Sequence, residues 1–510
     1  MMETKLFASE NELDVFTHTN IPTIPITLNS VSIRIIFSNA IHLSEECYST
    51  NSAIYFQLVE FRKFLILLHD DIISVEEITN NDFTESEKLP NIYLEIIAYP
   101  IISGKRQRLQ IRFNFSDKSL AECWKTYISK KIDPPLPPHF QRKISRKRKI
   151  LVLVNPFGGQ KNAKKIWQNY IARIFQESHI DYDLIVTERE KHAIEIARCM
   201  DLDEYDAVAV ISGDGLINEI ISGLLLRPDR IRAMKFPIAH IPGGTSNALA
   251  ASICFQCNEP FSPRKPFFLE AALMICRPRY LPLRICSVQT EKDGDRPMFL
   301  SVTWGLLADI DIGSERFRWA GLARLHIEAF LRIMRWHHIA RKAFGKDHFR
   351  YDEISHFSSE NDINVNNSHV NDEKIPLLNE QIPEHWTSVE GEYVFVCITN
   401  LSHLGSDVPY IPSSRLDDDY FFLSYVDWKL VKSRFQIMQM MLEMCNSGHL
   451  DYSCFQVIPV KACRVEPKDG CGGYLSIDGE PISPGTTFQV VPFGCVTIVG
   501  RNEVKSAHST

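Results

Sequence analysis

Apolar and polar positions along the 510-residue chain follow three successive rhythms. From about residue 31 to 130, short alternating runs occur at Val31–Phe37, Ala53–Leu58, Phe64–Leu68, Ile92–Ala98 and Arg108–Phe115. A period of two predicts strands. Leu120–Ile132 has helical spacing around Trp124. From Ile150 the pattern changes to solid β-branched runs separated by segments of 3.6-residue period. Strands are expected at Lys149–Val154, Tyr182–Val186, Ala207–Ile211 and Ile238–Ile241. Helices are expected at Lys164–Ser178, His192–Cys199, Leu216–Leu224 and Asn247–Ile253. Continuous apolar strands alternating with helices predict a parallel sheet covered on its faces. After about Leu281 strands dominate again, at Arg284–Thr290, Pro297–Trp304, Tyr393–Thr399, Tyr420–Val426, Phe455–Val460, Ala462–Glu466, Gly473–Ile477 and Phe488–Val499. Helical segments at Ala320–Phe344 and Lys429–Asn446 interrupt them.

The expected organisation follows these changes. A loose arm (1–30) precedes a β-rich module (31–133). A stiff linker (134–147) carries Pro134, Pro135, Pro137 and Pro138. An α/β unit (148–280) leads into a mainly antiparallel unit (281–500), read as a β-sandwich, and a loose tail (501–510). Within the last unit, residues 351–388 are rich in Asn, Ser, Asp and Glu and are read as a disordered insertion. Strands closed by one helix bearing Trp124 resemble a pleckstrin-homology module. An unspecialised β-rich extension is an equal reading. The basic run Arg142–Lys149 reads as a solvated lead-in to the next strand, with a nuclear signal or an acidic-lipid patch as the alternative.

Composition narrows the partners. Hydrophobic residues at 45% and charged residues at 23% are ordinary for a globular chain. A formal net charge of −7 gives no support for nucleic-acid binding. Thirteen cysteines without a regular framework suit a reduced, intracellular setting. The N-terminus lacks an apolar signal segment and no run of 18 apolar residues occurs, so the expectation is a cytoplasmic protein with peripheral, reversible membrane contact.

The candidate chemistry lies at the strand ends. Ala207–Ile211 runs into Ser212-Gly213-Asp214-Gly215, and a helical pattern begins at once. Glycines let the backbone turn where a Cβ would clash and let a ligand approach closely. The turn offers free N–H groups at a helix N-terminus, a favourable place for phosphate, with the Asp214 carboxylate beside them. That pairing points to phosphoryl transfer to an oxygen nucleophile. Alone, Gly-Asp-Gly reads equally well as an ordinary turn. Two more loops of the same kind, Asn155-Pro156-Phe157-Gly158-Gly159 and Pro242-Gly243-Gly244-Thr245-Ser246-Asn247, change the balance. In parallel sheets the ligand lies beyond the carboxyl ends of the strands, where all three loops are expected.

Further pieces carry a resemblance. They are Thr187-Glu188-Arg189-Glu190-Lys191, Glu219, Asn247-Ala248-Leu249-Ala250-Ala251, Ser402-His403-Leu404-Gly405-Ser406, Glu466-Pro467-Lys468-Asp469-Gly470 and Asp478-Gly479-Glu480. With the three loops, they make residues 148–500 resemble the sphingosine kinases, within the diacylglycerol-kinase-like lipid kinases. The resemblance implies an α/β nucleotide domain facing a β-sandwich lipid domain, with ATP in the cleft and Mg²⁺ bridging its phosphates. It implies Asp214 as the base that deprotonates the primary hydroxyl of sphingosine or sphinganine. ATP contacts are implied at Asn155, Pro156, Phe157, Thr187, Glu188, Arg189, Glu190, Lys191, Glu219, Gly244, Thr245 and Ser246. Arg318, Arg324, Asp478, Gly479 and Glu480 are implied from the second unit. Without the resemblance, Arg318 and Arg324 read as a solvated helix face.

Lipid contacts are implied at Ser212, Gly213, Asp214, Gly215 and Asp311. Asp311 would meet the cationic amine of a sphingoid base, which ceramide and diacylglycerol lack. A helix-capping role for Asp311, or Asp309 as the amine partner, stays open. The amphipathic segment from Arg324 to Trp336 is implied as a lipid gate, and packing onto the sandwich is the plain alternative. Ser246 stands where the family usually has glycine, and Trp319 where a second basic residue often follows Arg318. The alternatives weighed are a ceramide or diacylglycerol kinase, a kinase of a soluble metabolite, and a non-catalytic scaffold.

Overall fold

The computed structural model describes residues 7–9, 32–37, 40–49, 53–58, 63–78 and 92–501, apart from 103, 116–117, 141–146, 160, 263–264, 321–322, 335–346, 354–374 and 468–473. Most of the expected arm, most of the basic run Arg142–Lys149 and the tail beyond Arg501 therefore lie outside the described residues. The first unit is an eight-stranded antiparallel sheet. Its strand order is Phe7–Ser9, Lys63–Leu68, Ala53–Leu58, Ala40–Ser49, Ser32–Phe37, Leu109–Phe115, Ile92–Ala98 and Ile72–Ile78. Ala40–Ser49 and Ile72–Ile78 were absent from the sequence expectation because Ser, Glu and His interrupt their alternation. Helix Lys118–Ile132 packs on the sheet, with Trp124 fully buried and 6.1 Å from the Phe113 ring.

This unit is fastened to the rest by buried charges. Arg106 Nη1 lies 2.5 Å from Asp71 Oδ1, and Arg106 Nη2 lies 2.7 Å from Glu259 Oε1. Arg501, at the end of the last strand, reaches the same two carboxylates at 2.7 and 3.2 Å. The four side chains are at most 7% exposed. Two cations and two anions cancel, so each desolvated charge has two partners. The proline-rich segment is also pinned. His139 is buried and its Nε2 bonds the Tyr205 carbonyl at 3.1 Å.

Four parallel strands follow, in the order Asp181–Val186, Lys149–Val154, Ala207–Ser212 and Ile238–Pro242. The register pairs Val154 with Ile211 and Ser212 with Pro242, so the carboxyl ends finish flush. The central strand is buried at every position, as its solid apolar run requires. Helix Lys164–Ser178 is observed as Ala163–Glu177, broken by a π turn at Trp167–Ile171.

The antiparallel strands share a sheet with these. Phe488–Gly500 pairs with Ile238–Pro242 on the parallel side, with Phe455–Glu466 near its start, and with Arg279–Thr290 along its length. The result is one mixed sheet of 15 strands. Phe455–Val460 and Ala462–Glu466 form one strand, and Pro297–Trp304 divides into Gly294–Met298 and Ser301–Gly305. Both ends of the segment expected to be disordered are structured. Asp347–Glu353 and Thr387–Gly391 pair with each other, and the first also pairs with Phe455–Glu466. Cys254 and Cys257 do form a close CxxC spacing, yet both are buried, and burial pushes the Cys254 thiol up. Among the described residues no helix is long and apolar enough to cross a membrane.

Arg106→Met should lower unfolding stability by about 3 kcal/mol, because it leaves two buried carboxylates sharing one guanidinium. Urea denaturation beside the exposed control Arg173→Ala checks this. Equal midpoints for the two variants would refute it.

Candidate active site

A cleft of about 1310 Å³ opens where the flush strand ends meet the antiparallel unit. Its floor is the three glycine loops, which touch backbone to backbone. A Cβ on Gly244 would sit 2.3 Å from Gly213 Cα, and one on Gly159 would sit 2.9 Å from Gly244 Cα. No other residue type fits either contact without moving a loop. The first loop is shaped by Asn155, whose Oδ1 accepts N–H groups from Phe157 at 2.9 Å and Gly158 at 3.2 Å. The third is shaped by Asn247, whose Oδ1 accepts the Gly244 N–H at 2.8 Å. Phe157 stands 63% exposed at the cleft edge. Ser246 lines the cleft, and its carbonyl accepts the Ser406 N–H at 2.6 Å, which docks the Ser402–Ser406 segment onto the floor.

Asp214 opens helix Asp214–Leu225 and is 9% exposed. Its Oδ2 accepts the Ala248 N–H at 2.9 Å and its Oδ1 the Leu249 N–H at 3.0 Å, both at the start of helix Ala248–Gln256. Two fixed donors at a helix N-terminus orient the carboxylate. Ser212, Gly213 and Gly215 line the cleft around it.

The Thr187–Lys191 segment divides. Glu190 and Lys191 line the cleft, and Thr187 is buried beneath. Arg189 turns to the surface, where it pairs with Glu195 at 2.6 Å. Glu219 lines the cleft and accepts the Ala193 N–H at 3.1 Å, and burial raises its pKa.

The far wall carries Asp478, Gly479 and Glu480 and separates Asp309 from Asp311. Asp478 accepts N–H groups from Phe299 (3.0 Å), Leu300 (2.9 Å) and Ser301 (2.9 Å), and the Asn218 amide at 2.8 Å. Its oxygens brace the two units, and it lines the cleft together with Gly479 and Glu480. Asp309 accepts Arg332 Nη1 at 2.8 Å and the Tyr474 N–H at 3.1 Å. Among the described residues no hydrogen bond or ion pair reaches the Asp311 carboxylate, which faces the cleft beside Gly479. Burial pushes it up to about 6, with Arg324 drawing it down. Arg324 lines the cleft and pairs with Glu315. Arg318 belongs to the turn Glu315–Ala320, and its side chain lies outside the described residues.

Helix Ala323–Met334 closes one side. Its buried Glu328 binds Arg316 at 2.6 Å and Arg332 at 2.7 Å, while Phe330 and Met334 are about half exposed.

The family model described as "Diacylglycerol kinase catalytic domain" matches residues 149–274. "Sphingosine kinase 1" of Homo sapiens is 32% identical over 356 residues, covering 68% of this chain and 90% of that protein. The chain belongs to the sphingosine kinase family. "Sphingoid long chain base kinase 4" of Schizosaccharomyces pombe is 26% identical over 458 residues, covering 82% of this chain and 94% of its own length. A solved "putative diacylglycerol kinase" from Bacillus anthracis str. Sterne superimposes with a TM-score of 0.47 and 18% identity, covering 71% of this chain and 98% of that one.

For a lipid kinase, the cleft holds side chains that the motifs did not single out. Arg296 and Lys161 add positive charge to its lining. Arg296 lies on an edge strand without a local motif, whereas Lys161 follows the first glycine loop with φ +61 and was open to notice. His240 is the polar exception in the wholly buried strand Ile238–Pro242. Gly244→Ala should remove the nucleotide-induced rise in melting temperature while leaving far-ultraviolet circular dichroism unchanged. A retained rise would show that the loops tolerate separation.

Proposed function

We propose that this kinase transfers the γ-phosphoryl of ATP to the primary hydroxyl of sphingosine, sphinganine and related long-chain bases, giving the 1-phosphates. Family membership supports the kinase, and the unpaired Asp311 carboxylate supports the substrate class. A neutral headgroup would leave that carboxylate buried without a partner, whereas a protonated amine supplies the missing charge. Asp214, oriented by the Ala248 and Leu249 amides, is the base that receives the hydroxyl proton. Glycine-loop amides, Arg324 and Lys191 offset charge on the nucleotide phosphates, and Gly244, Thr245 and Ser246 shape its bed.

Among the described residues no group of three acidic, thiol or imidazole side chains converges on a metal position. A magnesium ion would enter on the nucleotide, with Glu480 of the cleft lining as the residue that would hold it. The ion would neutralise phosphate charge. The antiparallel unit is the lipid-binding half, and the exposed Phe330 and Met334 beside the cleft suit entry from a membrane surface.

The test is ATP-dependent phosphorylation of sphingosine, sphinganine, ceramide and diacylglycerol by wild type, Asp214→Asn and Asp311→Asn. Free bases should be the substrates, and Asp214→Asn should lose at least about 100-fold in kcat. Asp311→Asn should raise KM for the base about tenfold or more at constant KM for ATP. Protonation of Asp311 removes its charge, so wild-type KM for the base should rise as pH falls through about 6. Asp311→Asn should lack that limb. Turnover of ceramide in preference to sphinganine would overturn the substrate assignment.

A further inference from the structure

His240 has no place in the chemistry described so far. Its side chain is fully buried, 3.9 Å from Asp214 through Nδ1 and Oδ1. Its Nε2 lies 3.0 Å from the Ser212 carbonyl. A carbonyl only accepts, so Nε2 carries the ring proton and Nδ1 is a bare lone pair. No hydrogen bond reaches Nδ1. Buried polar atoms without partners are uncommon, and this one faces the proposed base. Both groups are acceptors in the resting site, and a single added proton would satisfy them together.

We propose that His240 is a positioning residue for the phosphoryl transfer, holding the proton that Asp214 takes from the lipid hydroxyl. The inference rests on the kinase reading above. In the step, the hydroxyl O–H bond breaks and its electron pair forms the bond to the γ-phosphorus. The bond from that phosphorus to the bridging oxygen breaks, and its pair leaves on ADP. The proton passes to Asp214, which becomes a donor facing Nδ1, and is later released to solvent. Closing 3.9 Å to hydrogen-bond distance needs a shift of about 1 Å.

The surroundings leave this pair to itself. Burial holds the His240 ring neutral, Asp214 is the charge that opposes that effect, and the Ser212 carbonyl is the remaining influence. Helices Ala248–Gln256 and Phe268–Cys276 also pack on this strand and carry Cys254, Glu270 and Cys276, yet none of these acts on the ring. Ala248 and Leu249 N–H groups orient the carboxylate and leave its other lone pairs toward the cleft and the ring. The bare Nδ1 is an acceptor for the hydrogen bond that Asp214 can donate once it carries the hydroxyl proton.

The test compares kcat against pH for wild type, His240→Gln and His240→Asn with sphinganine and ATP. Gln reaches the Nε2 position and keeps the contact to Ser212, but places nothing at Nδ1. Asn places an amide oxygen near Nδ1. The expected result for His240→Gln is a plateau about tenfold lower and an acid limb moved down by roughly 0.5 to 1 pH unit, with both KM values unchanged. His240→Asn should recover most of both. A folded His240→Gln enzyme with the wild-type limb and plateau would overturn the proposal, as would a raised KM with an unmoved limb. Nitrogen NMR of ¹⁵N-histidine-labelled wild type gives a check that needs no variant, since a His240 ring protonated at Nδ1 would also sink the idea. Should wild type itself turn over no lipid, the kinase reading fails first; turnover with a dead Asp214→Asn isolates His240.

Discussion

The close approach of Gly244 to Gly213 is the constraint on which the site depends. A Cβ at 2.3 Å would drive the second and third loops apart, and the third loop leads directly into the helix that holds Asp214. The flush register of the parallel strands brings the loops to one level, and the missing side chains let them touch. Contact then aims two amides of helix Ala248–Gln256 at a carboxylate on the neighbouring helix. The loops and the Asp214 carboxylate are thus fixed by the same few atoms. The bare His240 nitrogen lies 3.9 Å from that carboxylate.

The second unit is positioned by hydrogen bonds to a carboxylate and a carbonyl rather than by glycines. Asp478 sits at φ +51, a region Asp tolerates better than most residues, and gathers three successive amides and Asn218. Burial outweighs these bonds and lifts its pKa to about 6. The Ser406 to Ser246 bond is a second bridge between the two units. Cleft width therefore depends on residues 260 and 160 positions apart in sequence, as Asn218–Asp478 and Ser246–Ser406 show.

How legible was this in the sequence? Solid apolar runs gave away the three inner parallel strands because burial on both faces leaves no alternation to misread, whereas the edge strand Asp181–Val186 is largely exposed. The three loops and Asp214 were legible because their chemistry is local. Partner choice was not. Nothing near Asp478 says that its oxygens face backbone amides, and nothing near Arg189 says that it turns to Glu195. The pairing of Ile238 with Ile498, which joins two expected sheets into one, is a long-range event without a local signal. The buried Arg106, Asp71, Glu259 and Arg501 group is the same case, since each charge alone reads as surface. Ala40–Ser49 was missed for a different reason: hydrogen bonds to neighbouring strands outweighed a poor alternation.

Asp309 and Asp311 show how orientation separates residues that sequence treats alike. Two positions apart on a helix, they point about 200° from each other. Asp309 meets Arg332, which is shared with Glu328, which in turn holds Arg316. That chain of charges clamps helix Ala323–Met334 and leaves its outer apolar residues toward solvent. Asp311 points into the cleft instead, where Arg324 influences it but is already paired with Glu315. Burial without a hydrogen-bond partner among the described residues weighs against the ionised Asp311, and Arg324 offsets part of that cost. A ligand bearing a cation at that point removes the penalty on binding, and a ligand without one leaves it in place. Selectivity of this kind needs no extra contact to the favoured lipid, because the disfavoured one is rejected by a charge it cannot satisfy.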